Sequence, residues 1–194
     1  MKIFLKDDAG IDWQLEPDID AYRRLFEISK LDPASSISGL EDLASQGSVA
    51  SMIRLAAICM VSNLPRDRSR AKYWYSQSSD MGNAYSTFMS ARMSFDDSEF
   101  ERAKMLFEEL LKKNDARAYY WLGKMYDGGL GVPQNSSAAK ALFEKSSQLG
   151  NPFASRDLAS LLMFRNRKIG QLPRALLLIC RSLYQALTTG HRWL

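Results

Sequence analysis

An all-α stack of helix-turn-helix repeats is the fold this 194-residue sequence predicts, and three observations carry the prediction. A small residue recurs at Ala71, Ala103, Ala139 and Ala175, each with a large apolar residue three positions on, at Trp74, Leu106, Leu142 and Leu178. A second series, Ser51, Ser86, Ala118 and Ala154, stands four residues after Gly47, Gly82, Asn114 and Gly150. Third, 46% of the residues are hydrophobic, enough to bury a substantial core in one domain or at most two. Self-similarity at a period of thirty to forty residues is the mark of a repeat array, in which each hairpin buries its apolar face only against its neighbours.

The elements follow in chain order. KIFL and IDWQL flank DDAG, a pattern that admits a small hairpin, although a two-stranded ribbon persists only when packed on something larger. DIDAYRRLFEISK at 18–30 is amphipathic, and Ser38 with Glu41 forms a capping-box pattern ahead of a helix ending near Gly47. Ala21 and Leu25 have the spacing of a degenerate leading repeat, so residues 1–46 are assigned to an N-terminal cap. The repeat array is assigned to residues 47–186 and a tail to 187–194.

Within each repeat, helix A begins at the small residue and places partners four, five and eight positions later, as in Leu55, Ala56 and Cys59 or Leu158, Ala159 and Leu162. That spacing makes one packed face, and the small residue admits a neighbouring helix closely. Helix B carries its own stripe, such as Ala139, Leu142, Phe143 and Ser146. Gly82, Asn114 and Gly150 then fall where a left-handed residue commonly ends a helix. In the last B helix, RALLLICRSLYQAL, the expected core stripe is Ala175, Leu178, Ser182 and Leu183. Leu176, Leu177 and Ile179 are left over, more apolar than an end cap requires. Three covers suit that surplus: the HRWL tail, a partner, or a second copy of the chain.

Residues 118–154, AYYWLGKMYDGGLGVPQNSSAAKALFEKSSQLGNPFA, closely resemble the Sel1-like repeat, a relative of the tetratricopeptide repeat. The matching elements are Leu122 and Gly123, Tyr126, the turn Gly129, Gly131 and Val132, Asn135 in the usual acidic position, and Ala139. GSVASMIRLA and RAKYWYSQSSDMGNAYS match in the first repeat. The fourth lacks the glycine-rich turn, and the second has the shortened connection SFDDSEFERA. The resemblance implies a right-handed α-solenoid of about four repeats, with N-terminal capping helices, that acts by holding a protein partner as an adaptor or scaffold. By similarity to tetratricopeptide repeats, helix A residues not used in packing line a concave face. Those expected to bind a partner are Tyr85, Phe88, Arg92, Arg117, Tyr120, Lys124 and Arg156. Aromatic residues and Arg are enriched in interface cores, so an extended or acidic protein segment is the expected occupant. The aromatics equally suit gap-filling between neighbouring A helices.

Charge and composition narrow the alternatives. The formal charge is only +4, but residues 1–46 carry five Lys/Arg against ten Asp/Glu, whereas residues 151–194 carry seven against one. The basic end makes nucleic-acid binding an alternative reading, one that the small net charge disfavours. No apolar stretch reaches the length that spans a bilayer, and the N-terminus lacks the features of a signal peptide, so a cytoplasmic protein without membrane insertion is expected.

Chemistry finds little foothold. His191 is the only histidine, which rules out a two-histidine zinc site. Cys59 and Cys180 have no metal-ligand spacing and are expected as small buried residues. Gly128, Gly129 and Gly131 precede Val132 and Pro133 rather than the Lys-Ser/Thr of a phosphate loop. Ser137 and Lys140 form an S-x-x-K string, the nucleophile and activating lysine of penicillin-interacting enzymes. Some cysteine-rich Sel1-like proteins are associated with β-lactam binding, but SDN, KTG and the paired cysteines of that subgroup are missing here. The expectation is therefore a binding protein, not an enzyme, with no cofactor.

Overall fold

A computed structural model describes residues 9–61, 65–162 and 172–189. Among these residues the chain forms ten α-helices and no strand. They are α1 (Ile19–Leu31), α2 (Pro33–Ser45), α3 (Val49–Val61), α4 (Pro65–Asp80), α5 (Ala84–Asp96), α6 (Phe100–Leu111), α7 (Ala116–Gly128), α8 (Ser136–Gln148), α9 (Pro152–Ser160) and α10 (Leu172–Thr189). The odd-numbered helices from α3 onward are the A helices and the even-numbered ones the B helices. The chain divides into two compact units, residues 1–93 and 94–194.

The small residues of both series are fully buried between packed helices. Ser51, Ser86, Ala118 and Ala154 on the A helices and Ala71, Ala103, Ala139 and Ala175 on the B helices are all 0% exposed. A larger side chain at any of these positions would hold the helix axes apart, which is why both series keep to Ala and Ser.

The joints between a B helix and the next A helix are built alike four times. Gly47, Gly82, Asn114 and Gly150 take φ of 93, 86, 52 and 99°. The amide after each donates five residues back: Ser48 to Leu43 O at 3.0 Å, Asn83 to Ser78 O at 3.2 Å, Asp115 to Leu110 O at 3.2 Å and Asn151 to Ser146 O at 3.1 Å. This is a Schellman closure. The side chain that follows the left-handed residue then caps the next helix: Ser48 Oγ accepts from Ser51 N, Asn83 Oδ1 from Ser86 N, Asp115 Oδ1 from Arg117 N and Asn151 Oδ1 from Phe153 N, at 2.8–3.1 Å. One residue thus closes one helix and opens the next, leaving few orphan backbone groups at the corner.

In the first unit one core cluster gathers Tyr22, Leu40, Leu43, Ala50, Met52 and Leu55, with Trp13 and Leu25 packed against it. A second gathers Ala56, Cys59, Ala71, Tyr75 and Met93. In the second unit Phe143, Ala154, Leu158 and Leu162 form the centre of a cluster that α10 closes with Ala175, Leu178 and Ile179.

Several expectations need correction. IDWQL is a turn, with Leu15 N on Asp12 O at 3.1 Å and Gln14 N on Asp12 Oδ1 at 3.1 Å, while KIFL lies outside the described residues. The second helix starts at Pro33, well before Ser38. Asp32 caps it by accepting from Ala34 N at 3.1 Å, and proline at the first position lacks the amide that would have gone unpaired. Ser38 is an exposed mid-helix residue. On α10, Leu183 is exposed and Ile179 packs inward, the reverse of the expected stripe. Cys59 is buried, but Cys180 is exposed because it lies on the outward side of α10. His191 lies outside the described residues.

Candidate functional site

The residues expected to bind a partner fall in both compact units. Tyr85 and Phe88 sit on α5 in the first unit, with Arg92 one turn further. Phe88 is buried, whereas Tyr85 and Arg92 are half-buried. The Tyr85 ring meets Tyr75 edge-on, with centroids 6.2 Å apart. Burial raises the Tyr75 phenol above its ordinary pKa, and the neighbouring Tyr85 adds to the shift.

In the second unit α7 and α9 bring Tyr120, Lys124 and Arg156 to one acid that the sequence reading did not single out, Asp157. Tyr120 Oη donates to Asp157 Oδ2 at 3.0 Å. Lys124 Nζ lies 3.7 Å from the same oxygen, and Arg156 Nε donates to Oδ1 at 2.9 Å. Tyr120 and Lys124 are four residues apart on α7, hence on one helix face. The Asp157 side chain is largely buried. Tyr120 is itself buried, with Phe143 at 5.9 Å and Phe153 at 6.2 Å between ring centroids. Burial, reinforced by Asp157, raises its pKa, so at neutral pH it is a neutral hydrogen-bond donor. The hydrogen bond to Asp157 raises the Arg156 pKa too.

Arg117 faces a different acid. Its Nε and Nη2 reach the two oxygens of Asp115 at 3.1 and 2.6 Å, a bidentate fork on the residue that caps its own helix. Two cations therefore share Asp157, and Arg117 is held by Asp115. The Arg156 side chain is 60% exposed and its guanidinium lies 5.5 Å from the centre of the Phe153 ring. This face presents an exposed cation over an aromatic ring, with an internal carboxylate already seated on its donors.

The glycine-rich turn after α7 is structural. Gly129 and Gly131 take φ of 68 and 66°, Leu130 N closes on Met125 O at 2.9 Å, and Asn135 caps α8 through Ser137 N and Ala138 N. A Cβ at Gly131 would lie 2.3 Å from Phe100 Cβ, so this turn also needs glycine for room. Ser137 is exposed, and Lys140 pairs with Glu144 at 4.0 Å. Among the described residues no group of His, Cys, Asp and Glu side chains could hold a metal ion, and no helix is long and apolar enough to cross a membrane.

The comparisons with known proteins agree with this architecture. The Sel1 repeat family model matches residues 49–83 and 116–151, the segments that hold α3 with α4 and α7 with α8. Among solved structures the chain is similar to c5321, a protective antigen of uropathogenic Escherichia coli with an SLR fold, at 21% identity and a TM-score of 0.69. That match covers 88% of this chain and 38% of the other, so the chain spans well under half the length of that relative. A Sel1 repeat protein from Oxalobacter formigenes matches at 15% identity and a TM-score of 0.69, over 87% of this chain and 70% of the other. MamA matches at 19% identity and a TM-score of 0.59, over 89% and 96%. A comparison with curated proteins finds no match. The fold is that of the helical repeat proteins, and the match to the Sel1 repeat is confined to those two segments of the chain.

Proposed function

We propose that this chain is a protein-binding adaptor or scaffold of the cytoplasm, and that the α7–α9 face holds an extended partner segment bearing carboxylate or phosphate groups. The observation that carries the reading is the Asp157 cluster. One carboxylate collects a phenol, an ammonium and a guanidinium, so the face already recognises an acidic group of its own and has one cation in excess. Arg156 is open to solvent and lies over Phe153, giving a partner an anchor that combines charge with apolar contact. A binding role also suits the Sel1 repeat, whose hairpins present side chains on a rigid scaffold.

The test is fluorescence anisotropy with labelled peptides that are acidic, phosphorylated or basic, titrated with the wild-type chain and with Lys124→Glu and Arg156→Glu together. Acidic and phosphorylated peptides should bind, weaken as salt rises, and lose at least about tenfold in affinity in the double variant, the scale of two partly exposed charge-assisted contacts. Equal binding of basic peptides, or acidic binding untouched by the double charge reversal, overturns the reading.

A further inference from the structure

We propose that α10 docks against α10 of a second copy of this chain as an antiparallel pair with a two-fold axis at Cys180. The inner side of α10 is occupied from Ala175 to Ser182: Ala175 is buried, Leu178 and Ile179 pack on the second-unit core, and Ser182 Oγ donates to Pro152 O at 2.8 Å. The opposite side carries Leu176 at 57% exposure, Leu177 at 70%, Leu183 at 62% and Tyr184 at 68%, with Cys180 exposed among them. At about 100° per residue these five positions span an arc of roughly 120°, and Cys180 falls at its middle.

The order of the stripe suits a second copy of the same helix. Reversed about Cys180, Leu176 exchanges places with Tyr184 and Leu177 with Leu183, so the stripe maps onto itself as apolar on apolar. A two-fold interface requires this property, because residue i must suit residue j and j must suit i, whereas a different partner imposes no such symmetry. No acidic residue occurs on α10, and Arg181 is displaced about 100° from the centre of the stripe, so the pairing buries no charge. Specific interfaces generally bury at least about 1,000 Å² over both partners. Two stripes of three leucines and a tyrosine, each more than half exposed, approach that size, consistent with a dimer of micromolar rather than nanomolar affinity.

Cysteine at the crossing point also fits. A small residue there lets helix axes approach to about 9–10 Å. With each Cα about 2.3 Å from its axis, the two Cys180 Cα atoms come within roughly 4–5 Å, a span that a disulfide or short thiol crosslinker bridges. Tyr184 and its symmetry mate would then stand about 12 Å apart along the axis, whereas Leu176 faces Tyr184 of the other copy. Cys59 is buried, and burial pushes its thiol pKa upward, so a thiol reagent reads Cys180.

Sedimentation of the full chain from low micromolar to submillimolar concentration should show a monomer–dimer equilibrium. A short bismaleimide should link wild-type dimers but not Cys180→Ser dimers, which still form. Leu177→Glu with Leu183→Glu changes exposed positions and should leave the helical signal intact while raising the dimer Kd at least 30-fold. On the Cys180→Ser background, a mixture of Leu176→Cys and Tyr184→Cys chains should crosslink to each other, and Tyr184→Cys chains should not crosslink among themselves. A chain monomeric throughout the range, a dimer indifferent to the two glutamates, or efficient linkage between Tyr184→Cys chains overturns the proposal. None of these changes touches α7 or α9, so this result and the peptide titration stand or fall separately.

Discussion

Gly123 and Gly39 show how one substitution has different consequences in different surroundings. Both lie within helices, where alanine in place of glycine is worth up to about 1 kcal/mol from propensity alone. A Cβ at Gly123 would stand 2.6 and 2.7 Å from two ring carbons of Phe143, and Phe143 is 1% exposed, so the ring has nowhere to go. A Cβ at Gly39 would meet the end of the Leu25 side chain at 2.7 Å, and Leu25 is only half-buried. Gly123→Ala is therefore expected to lose about 1–3 kcal/mol as an overpacked core contact, and Gly39→Ala to stay within about 1 kcal/mol of wild type. Urea unfolding of the two variants beside the wild type measures the contrast. Equal effects would mean that Phe143 moves as easily as Leu25.

Asn151 and Ser98 carry the energetics of the joints between helices. Asn151 ends the closure of α8 and caps α9 through Phe153 N at 3.0 Å, at 2% exposure. Asn151→Ala should cost about 1–2 kcal/mol, since water cannot readily replace a buried cap. Ser98 closes α5 with φ of 61°, its amide on Phe95 O at 3.0 Å and that of Glu99 on Ser94 O at 2.8 Å. This tight turn replaces the glycine-rich connection of the third repeat, and it explains why the second repeat is four residues shorter. A non-glycine residue in the left-handed region costs about 1–2 kcal/mol, so Ser98→Gly should raise the stability by roughly 0.5–1 kcal/mol after the loss of chain entropy is counted. Thermal unfolding of both variants checks the two signs. These joints also show what the sequence could and could not disclose. Gly82, Asn114 and Gly150 were legible as helix terminators because a left-handed residue is chemically conspicuous. Their capping successors were less so, because Ser, Asn and Asp are common in any turn. Asp32 with Pro33 outweighed the Ser38 and Glu41 pattern because proline at the first helical position fixes the start more firmly than a capping box that begins further along the same helix.

Across the molecule, the repeat was readable because packing imposes small residues at a fixed interval, and those residues are fully buried in both units. The counter-ions were not readable. Asp157 is 37 residues from the hydroxyl it accepts, and a spacing of one repeat places a side chain opposite its neighbour without saying which charge it meets. Leu183 and Ile179 were likewise exchanged, because on a terminal helix the two sides of an apolar surface differ only in what covers them. The tyrosines supply a prediction for the whole chain. Desolvation pushes Tyr22 up to about 12, with Glu16 adding to the rise and Arg54 opposing it, and raises Tyr75 and Tyr120 as well. A phenol whose folded pKa exceeds the unfolded value near 10 holds its proton more tightly when folded, so its stabilisation is complete below about pH 10. It is lost progressively as pH rises toward the folded value, by up to about 1.4 kcal/mol per pH unit for each such tyrosine. Against a total stability of about 5–15 kcal/mol, three such tyrosines remove a substantial share of it as pH approaches 12. Denaturant unfolding between pH 9 and pH 11.5 should show this decline, and Tyr22→Phe should make it shallower by removing one of the three contributions, whatever its offset at pH 9. A stability that stays level to pH 11.5, or a Tyr22→Phe slope equal to that of the wild type, would show that the phenols reach water in the folded state.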